Sequence, residues 1–347
     1  MTAIAARPAR PGVARAPLVL TAMVVLFAVL GLSGVAFGST WIPLEDVARV
    51  ILGFGDKTQN LIVLQLRLPR VVAAILSGGA IAVAGYLLQK VTRNELASPG
   101  VLGVVDGAAL GVVIFLAALS DESNALVTSI AYQPLAAAIG GLTAIALVFA
   151  LSGRQASSAV RLLLFGIAVA AVAKALTMIM MLVGPIYRTT QAARWIAGAV
   201  NEVNWSEIQI TFLALVPLLV ITLLVARRLP PADLDEVSAQ SVGLNLPVVR
   251  LFIFVLAAVL TAVGVAFVGG VGFIGLMAPH LARMLMGRGV HLGIVGSFVI
   301  GAMMLLAADL LVRVAFAPVE VPAGTVTAIL GAPYFLYLLM RKQSYDG

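Results

Sequence analysis

The chain has 347 residues, of which 62% are hydrophobic and 11% charged, with a net charge of +7 and no cysteine. Soluble domains carry about 25% charged residues, so the composition excludes an ordinary water-soluble globular protein. With no cysteine and two histidines, the chain has neither a disulfide framework nor enough soft ligands for a zinc centre. Its Lys and Arg residues are scattered at the ends of apolar runs, which argues against nucleic-acid binding and favours membrane orientation.

Apolar runs recur along the whole chain at roughly the 20-residue length that crosses a lipid bilayer. Charged residues and Gly or Pro divide these runs into about ten predicted spans. The first run is too long for the core of a typical signal peptide, so we interpret it as an uncleaved span. We therefore predict an all-α polytopic membrane protein with a single transmembrane domain, residues 1–347, and spans at 18–38, 70–90, 100–119, 131–152, 160–183, 207–226, 248–268, 273–286, 292–314 and 323–340.

The distribution of basic residues predicts the orientation of these spans. An even number of spans places both termini on one side of the membrane, and fourteen of the 22 Lys and Arg residues fall on that side. Seven fall on the opposite side, and Lys174 lies within the fifth span. Because cytoplasmic loops are enriched in Lys and Arg, we expect both termini to be cytoplasmic and residues 1–17 to form a basic tail there.

Two outer connections are long enough to contain structure of their own. Residues 44–52 are amphipathic and predict a short helix lying at the membrane interface, against lipid or a docked protein. The loop 184–207 contains Trp195 and Trp205, which we expect to lie in an aromatic belt at the depth of the lipid headgroups.

The cytoplasmic connection 227–250 is the one substantial polar segment on its side of the membrane. Pro230 and Pro231 end the sixth span, and Asp233 is a candidate N-cap for a helix over residues 234–242 that Gly243 would end. A helix this short is unstable by itself. We call residues 227–250 the coupling loop, after the role that the family resemblance described below implies for it.

The chain lacks the motifs that would supply chemistry or energy. It contains no G-x-x-x-x-G-K-[ST] phosphate loop and no H-E-x-x-H zinc motif. No Ser, His and carboxylate set has a spacing that indicates nucleophilic catalysis. We therefore predict that the chain is not an enzyme and binds no cofactor or metal, and that any ATP is hydrolysed by a partner.

Individual polar residues suggest local roles. Lys174 lies in mid-span, where a charge costs about 2.5 kcal/mol or more unless it is partnered, so it faces either a pore or a buried acid, or else it extends to the headgroups. Asp309 and Arg313 are one helical turn apart and favour an intrahelical ion pair.

Two glycines inside the second predicted span, Gly78 and Gly85, favour close packing of helices.

Two co-ordered blocks of motifs carry a family resemblance. The first block comprises Arg67-Leu68-Pro69-Arg70, Gly79-Ala80, Gly85, Gln89, Arg93-Asn94-Glu95-Leu96-Ala97-Ser98-Pro99 and Gly103. The second comprises Gly272-Phe273-Ile274-Gly275-Leu276-Met277-Ala278-Pro279-His280, Arg283, Ala308-Asp309, Arg313, Glu320-Val321-Pro322-Ala323-Gly324 and Gly331-Ala332-Pro333. Together they resemble the permease family of ABC importers for iron-siderophores, haem and vitamin B12. Glu95 stands where that family usually has Pro, and Asp235 where it usually has Gly.

The resemblance implies a set of partners and residue roles. It implies a dimer of permease subunits, two cytosolic ATPase subunits that bind ATP and Mg, and an extracytoplasmic substrate-binding protein. Arginines at three motif positions would meet glutamates of that binding protein: Arg67, Arg70 and Arg313. The coupling loop would contact the ATPase through Leu234, Asp235, Glu236, Ala239, Gln240 and Gly243.

Alternatives remain at this point. An ion-gradient-driven secondary transporter would use Lys174, Asp106 and Asp309 as intramembrane charges, and a non-transporting membrane scaffold would have no use for a polar coupling loop. Among substrates a ferric siderophore is favoured over haem or a vitamin B12-like chelate. The second permease subunit is either a copy of this chain or a related one.

Overall fold

A computed structural model describes residues 16–38, 40–120, 126–153, 159–183, 186–201, 203–229, 246–287, 289–317 and 319–343. Helices dominate this part of the chain, and it contains no β-strand beyond one isolated bridge between Ser120 and Leu126. The helices are α1 (Ala16–Ala36), α2 (Leu44–Ile51), α3 (Lys57–Asn60), α4 (Leu68–Thr92), α5 (Val104–Ala118), α6 (Gln133–Ser152), α7 (Ala159–Val183), α8 (Ile186–Ala197), α9 (Trp205–Val225), α10 (Leu246–Val265), α11 (Ile274–Met286), α12 (Val290–Ala315) and α13 (Ala323–Gln343).

Each of the ten predicted spans coincides with a helix to within a few residues. Seven helical stretches are long and apolar enough to cross a membrane: Leu18–Ala36, Lys57–Thr92, Ile130–Ser152, Arg161–Val183, Trp205–Val225, Val248–Val265 and Val290–Ala315. The other three are shorter: α5 has 15 residues, α11 has 13, and the apolar part of α13 is Ala323–Tyr337. The all-helical, multi-pass class is confirmed.

Helix α4 is buried along most of its length and forms the centre of the helix packing. It packs against α10, α11 and α12. A Cβ atom at Gly78 would overlap the carbonyl oxygen of Gly301 on α12, and one at Gly85 would overlap that of Gly275 on α11. Lipid supplies no hydrophobic force between helices, so close backbone approach through small residues is what holds them together. The packing role predicted for Gly78 and Gly85 is confirmed.

A π-helical stretch, Leu61–Arg67, joins α3 to α4, so that Lys57–Thr92 is one continuous helix. It immediately precedes Pro69, which lacks an N–H and whose ring would collide with the carbonyl of Gln65 in a regular α-helix. The wider turns relieve this conflict. Such stretches are rare and frequently occur at functional sites.

Two irregular segments interrupt the helical packing. The first runs from Arg93, which has a left-handed φ of 52°, to Gly103, with φ of 76°. The second precedes α11 and ends at Phe273, with φ of 63°. Two pairs of residues that contain proline, Ser98-Pro99 and Ala278-Pro279, are candidates for helix breaks. Pro99 does lie in an irregular segment, but Pro279 lies inside α11, because neighbouring helices in a membrane protein can accommodate an interior proline.

The outer connections agree only partly with the sequence prediction. The amphipathic helix is confirmed as α2, which buries Val47 and Val50. Trp195 does not lie in an exposed aromatic belt: it is buried, and its indole N–H donates to Ala266 O at 2.8 Å. Trp205 donates to Leu64 O at 2.8 Å. Both indole N–H groups therefore bond to backbone carbonyls of other segments. Trp205 stays partly exposed, and its place in an aromatic belt stays a prediction.

Candidate functional site

The three arginines predicted to dock a binding protein meet at one end of the helix bundle. The end of α1, the π-helical stretch with the start of α4, and the end of α12 converge there. Arg67, Arg70 and Arg313 line a common open cavity of about 660 Å³ together with Asn201 and Glu320. The structure thus brings together residues that are up to 246 positions apart in the chain.

Arg67 is buried, with 5% of its surface exposed. Its guanidinium donates to Val35 O at 3.0 Å, to Ala36 O at 2.7 Å, and to both the carbonyl and the side-chain oxygen of Thr40. The last carbonyls of a helix have no partner within the helix, so Arg67 completes the C-terminal end of α1. We had expected an exposed cation here; its role in docking stays a prediction.

Asp309 holds the other two arginines. Its carboxylate accepts a hydrogen bond from Arg70 Nε at 2.6 Å, and Arg313 Nη2 lies 3.9 Å away. The intrahelical pair predicted with Arg313 is therefore the weaker contact, because Arg70 approaches from α4. Arg313 also donates to Gly34 O at 2.5 Å. Asp309 is 1% exposed, so its charge requires these partners.

The cavity carries a net positive charge. Three guanidinium groups and one carboxylate, that of Glu320, line the cavity, and the charge stays positive when the paired Asp309 is added. Glu320 also accepts a hydrogen bond from Asn201 at 2.5 Å. Within the described part of the chain, the terminal nitrogens of Arg70 make no hydrogen bond. A carboxylate entering the cavity would find these donors free. Glu320 lay within a quoted motif, but the sequence indicated no role for it.

A second polar cluster lies at the opposite end of α4. Gln89 donates to Leu276 O at 3.1 Å and accepts from Arg283 Nη1 at 2.7 Å. Glu95, whose side chain is 60% exposed, lies 3.8 Å from both Arg283 Nη2 and His280 Nδ1. The cluster ties the irregular segment after α4 to α11. The sequence assigned no partner to Glu95.

The predicted coupling residues lie outside the described residues. These are Leu234, Asp235, Glu236, Ala239, Gln240 and Gly243. Around them, α9 continues into a short turn over Ala226–Arg228, and α10 already begins at Leu246. The last five residues of the predicted loop 227–250 are thus helical. Most of the basic tail 1–17 is likewise outside the description, and α1 begins at Ala16.

Lys174 lies in the middle of α7 and is exposed on the isolated chain. Among the described residues, no carboxylate lies within 4 Å of its ammonium group. The three possibilities raised by the sequence for Lys174, which are a pore, a buried acid and the lipid headgroups, remain open.

The architecture and the two polar ends are those of a multi-pass membrane permease. The FecCD transport family matches residues 24–341, and the chain belongs to this family. It is 38% identical over 329 residues, 93% of this chain and 96% of the relative, to the probable siderophore transport system permease protein YfhA of Bacillus subtilis. It is 36% identical over 282 residues, 81% of this chain and 83% of the relative, to the hemin transport system permease protein HmuU of Yersinia pestis.

A solved structure of an ABC transporter is also similar to this chain. It is described as an inward-facing conformation of a metal-chelate type ABC transporter, and it matches with a TM-score of 0.80 at 26% identity. The match covers 94% of this chain and 99% of the other. The chain is therefore an ABC importer permease of the cytoplasmic membrane, as the motifs indicated, and the ion-gradient-driven alternative is not supported.

Proposed function

We propose that this chain is the membrane subunit through which a ferric chelate, with a ferric siderophore favoured over haem or a vitamin B12-like chelate, enters the cytoplasm. The observation that carries this proposal is the near full-length similarity to permeases named for siderophore and hemin transport. Ten helices cross or enter the membrane, and both termini lie in the cytoplasm, as the distribution of basic residues favours.

Reconstitution into proteoliposomes tests this function. The chain would be combined with its ATPase and binding-protein partners, and uptake of a ferric hydroxamate siderophore, hemin and vitamin B12 would be compared. Uptake of the ferric siderophore that requires ATP and is blocked by vanadate supports the proposal. Uptake that an ionophore alone abolishes, or the absence of uptake of all three chelates, would reject it.

The proposed assembly contains two permease subunits, two cytosolic ATPases and one extracytoplasmic binding protein. The second permease is a copy of this chain or a related chain, and mass measurement of the purified complex distinguishes the two. The sequence contains no phosphate loop, so the nucleotide and its Mg are assigned to the ATPases. ATP binding there would move the coupling loops, and the permease helices would open outward in response.

We expect the docking of the binding protein to depend on Arg70 and Arg313. Both arginines also pair with the buried Asp309, so changing either one would lower stability as well as remove a docking charge, and the association rate is the quantity that reports on docking. The double change Arg70→Glu with Arg313→Glu reverses two charges, which changes the net charge of the cavity by four units, and it should slow association about tenfold or more while removing its salt dependence. Surface plasmon resonance with the binding protein that supports uptake measures both quantities.

Two variants serve as controls for docking. Arg49→Glu changes an exposed arginine on α2 that pairs with Glu45 and does not line the cavity, and it should leave association unchanged. Arg67→Glu should mainly lower the thermal stability, because its guanidinium completes α1. An unchanged association rate in the double variant would reject the docking role of Arg70 and Arg313.

Coupling to the ATPase is expected to depend on Glu236 and Gln240. On the predicted helix 234–242 these residues are four positions apart and share one face. Changing both to Ala should reduce ATP hydrolysis that depends on the chelate and the binding protein, while docking of the binding protein stays intact. Ser238→Ala, on the opposite face of the same helix, is the control. Full transport by the double variant would remove this face from the mechanism.

A further inference from the structure

An open apolar groove lies between α5, α6 and α7, three helices that pack against one another. It has a volume of about 650 Å³. Small residues make it concave: Gly107 and Gly111 of α5 and Gly140 of α6 line it, and a Cβ atom at Gly111 would overlap Ala136 O. The larger side chains around these glycines are exposed on the isolated chain: Ile114, Ile139, Leu147, Val172 and Leu176.

The groove offers its occupant almost nothing but carbon atoms. Among the described residues that line it, Thr143 alone has a polar side chain, and its hydroxyl donates to Ile139 O of the same helix at 2.7 Å. Helices α6 and α7 are both long and apolar enough to cross a membrane, so the groove lies at the depth of the lipid hydrocarbon. Because an unbonded polar group is costly to bury in such a place, the occupant must be apolar along its length.

The groove is long and narrow. On α6 its lining runs from Ala136 to Leu151, which is about 22 Å at a rise of 1.5 Å per residue. A volume of about 650 Å³ over that length corresponds to a mean cross-section of about 30 Å². A helix about 10 Å across has a cross-section of about 80 Å². A transmembrane helix of a partner is therefore too wide to enter the groove, whereas a single hydrocarbon chain fits.

A cation lies at one end of this groove. Helices α6 and α7 are consecutive antiparallel spans, so Leu151 near the end of α6 and Arg161 near the start of α7 lie at the same end. At 100° per residue, Arg161 is about 20° from the groove residue Ala168 around α7. Its guanidinium carbon lies 5.7 Å from the centre of the Phe165 ring, one turn nearer to the groove. Arg161 is also the first residue of a membrane-crossing stretch, so its charge lies where the hydrocarbon meets the headgroups.

We propose that the groove binds an acyl chain of an anionic phospholipid, and that Arg161 binds the phosphate of the same molecule. The planar guanidinium suits two oxygen atoms of a phosphate. In the proposed orientation this end of the groove is cytoplasmic, where basic residues beside transmembrane helices attract anionic headgroups. The lipid contacts α5, α6 and α7 at once and stabilises their packing. This site is independent of which chelate the chain carries.

Photolabelling tests the position of the acyl chain. The full-length chain, purified with its partner subunits, would be placed in phosphatidylcholine nanodiscs that contain a phosphatidylglycerol with a diazirine on its acyl chain. Mass spectrometry should find the label on groove residues of α6 and α7. Val172→Trp and Leu147→Trp, which fill the groove from two helices, should each remove most of this labelling. Ile167→Trp is the control, because Ile167 is exposed on α7 but does not line the groove.

Two results would overturn the groove as a lipid site. Equal labelling of the wild type and both groove variants would show that the lipid merely surrounds the protein. Absence of labelling from α6 and α7 of the wild type would show that another protein covers the groove.

Selectivity between two phospholipids tests the role of Arg161. In the delipidated complex in detergent, added phosphatidylglycerol should raise the melting midpoint by several degrees more than phosphatidylcholine does, because it binds the folded state more tightly. Arg161→Gln should abolish this difference, and Arg161→Lys should keep part of it. Arg227→Gln, which removes an exposed arginine after α9 that does not line the groove, should leave the difference unchanged.

An equal rise with both lipids in the wild type would reject the anionic headgroup. An undiminished difference in Arg161→Gln would reject Arg161 as its site. Neither the labelling nor the melting measurement requires transport, so both decide the lipid site even if the chain imports none of the three chelates.

Discussion

Replacing Gly85 by alanine is expected to prevent α4 and α11 from packing at their native distance. The new methyl group would overlap the carbonyl oxygen of Gly275, and backbone atoms cannot move aside as a flexible side chain can. Separation of the two helices would also break the hydrogen bonds that join Gln89 to Leu276 and Arg283. We expect a loss of about 3 kcal/mol or more, measured as a lower melting midpoint in detergent.

Gly31→Ala is the matched control for this change. Gly31 also lies inside a predicted span, in α1, but a Cβ atom there would meet nothing within 4 Å. Alanine has the higher helix propensity, so this variant should melt at the wild-type temperature or slightly above it. If Gly85→Ala behaved like Gly31→Ala, the close approach of α4 and α11 would be wrong.

Removing the carboxylate of Asp309 is the second change with a large expected effect. Asp309→Ala leaves Arg70 and Arg313 facing each other with no anion between them, in a partly enclosed cavity where Arg67 adds a third positive charge. Breaking a buried ion pair by deleting one partner costs about 3 kcal/mol or more. Thermal unfolding of the purified chain should show this loss, and high salt should reduce it.

Asp309→Asn removes the negative charge but keeps the shape of the side chain, so it separates the two contributions in the same experiment. The amide oxygen can still accept the hydrogen bond from Arg70 Nε, so this variant should lie between the wild type and Asp309→Ala. A triple variant, Asp309→Ala with Arg70→Gln and Arg313→Gln, should recover part of the stability because the stranded charges are gone. Equal melting of Asp309→Ala and the wild type would show that the cluster is not held together by this carboxylate.

Much of the helical organisation could be predicted from the sequence because it depends on local properties. An apolar run of sufficient length forms a helix in a membrane, since every backbone N–H and C=O must be paired within the segment. For this reason the ten predicted segments coincide with helices, including the short α11. The amphipathic α2 was predictable for a similar reason, because its apolar residues recur at the helical period.

The positions of individual polar side chains were less predictable. Tryptophan is enriched at membrane interfaces, but the indole N–H of Trp195 donates a hydrogen bond to Ala266 O. Arg67 and Arg70 are three residues apart in one motif, yet the first completes α1 and the second pairs with Asp309. A sequence motif predicts that the two arginines lie in the same region of the protein. It does not predict which of them has N–H groups without a hydrogen-bond partner.

The sequence by itself determined that the protein lies in the membrane, where its ten apolar helices lie to within a few residues, and which permease family its motifs resemble. These properties follow from hydropathy, charge bias and ordered motifs, each read within a short stretch of chain. Only the tertiary structure decided that Asp309 pairs mainly with Arg70, 239 residues away, and that Arg67 completes the end of α1. Helix faces meet according to glycine contacts and backbone breaks on distant segments, and a local pattern contains no information on which faces these are.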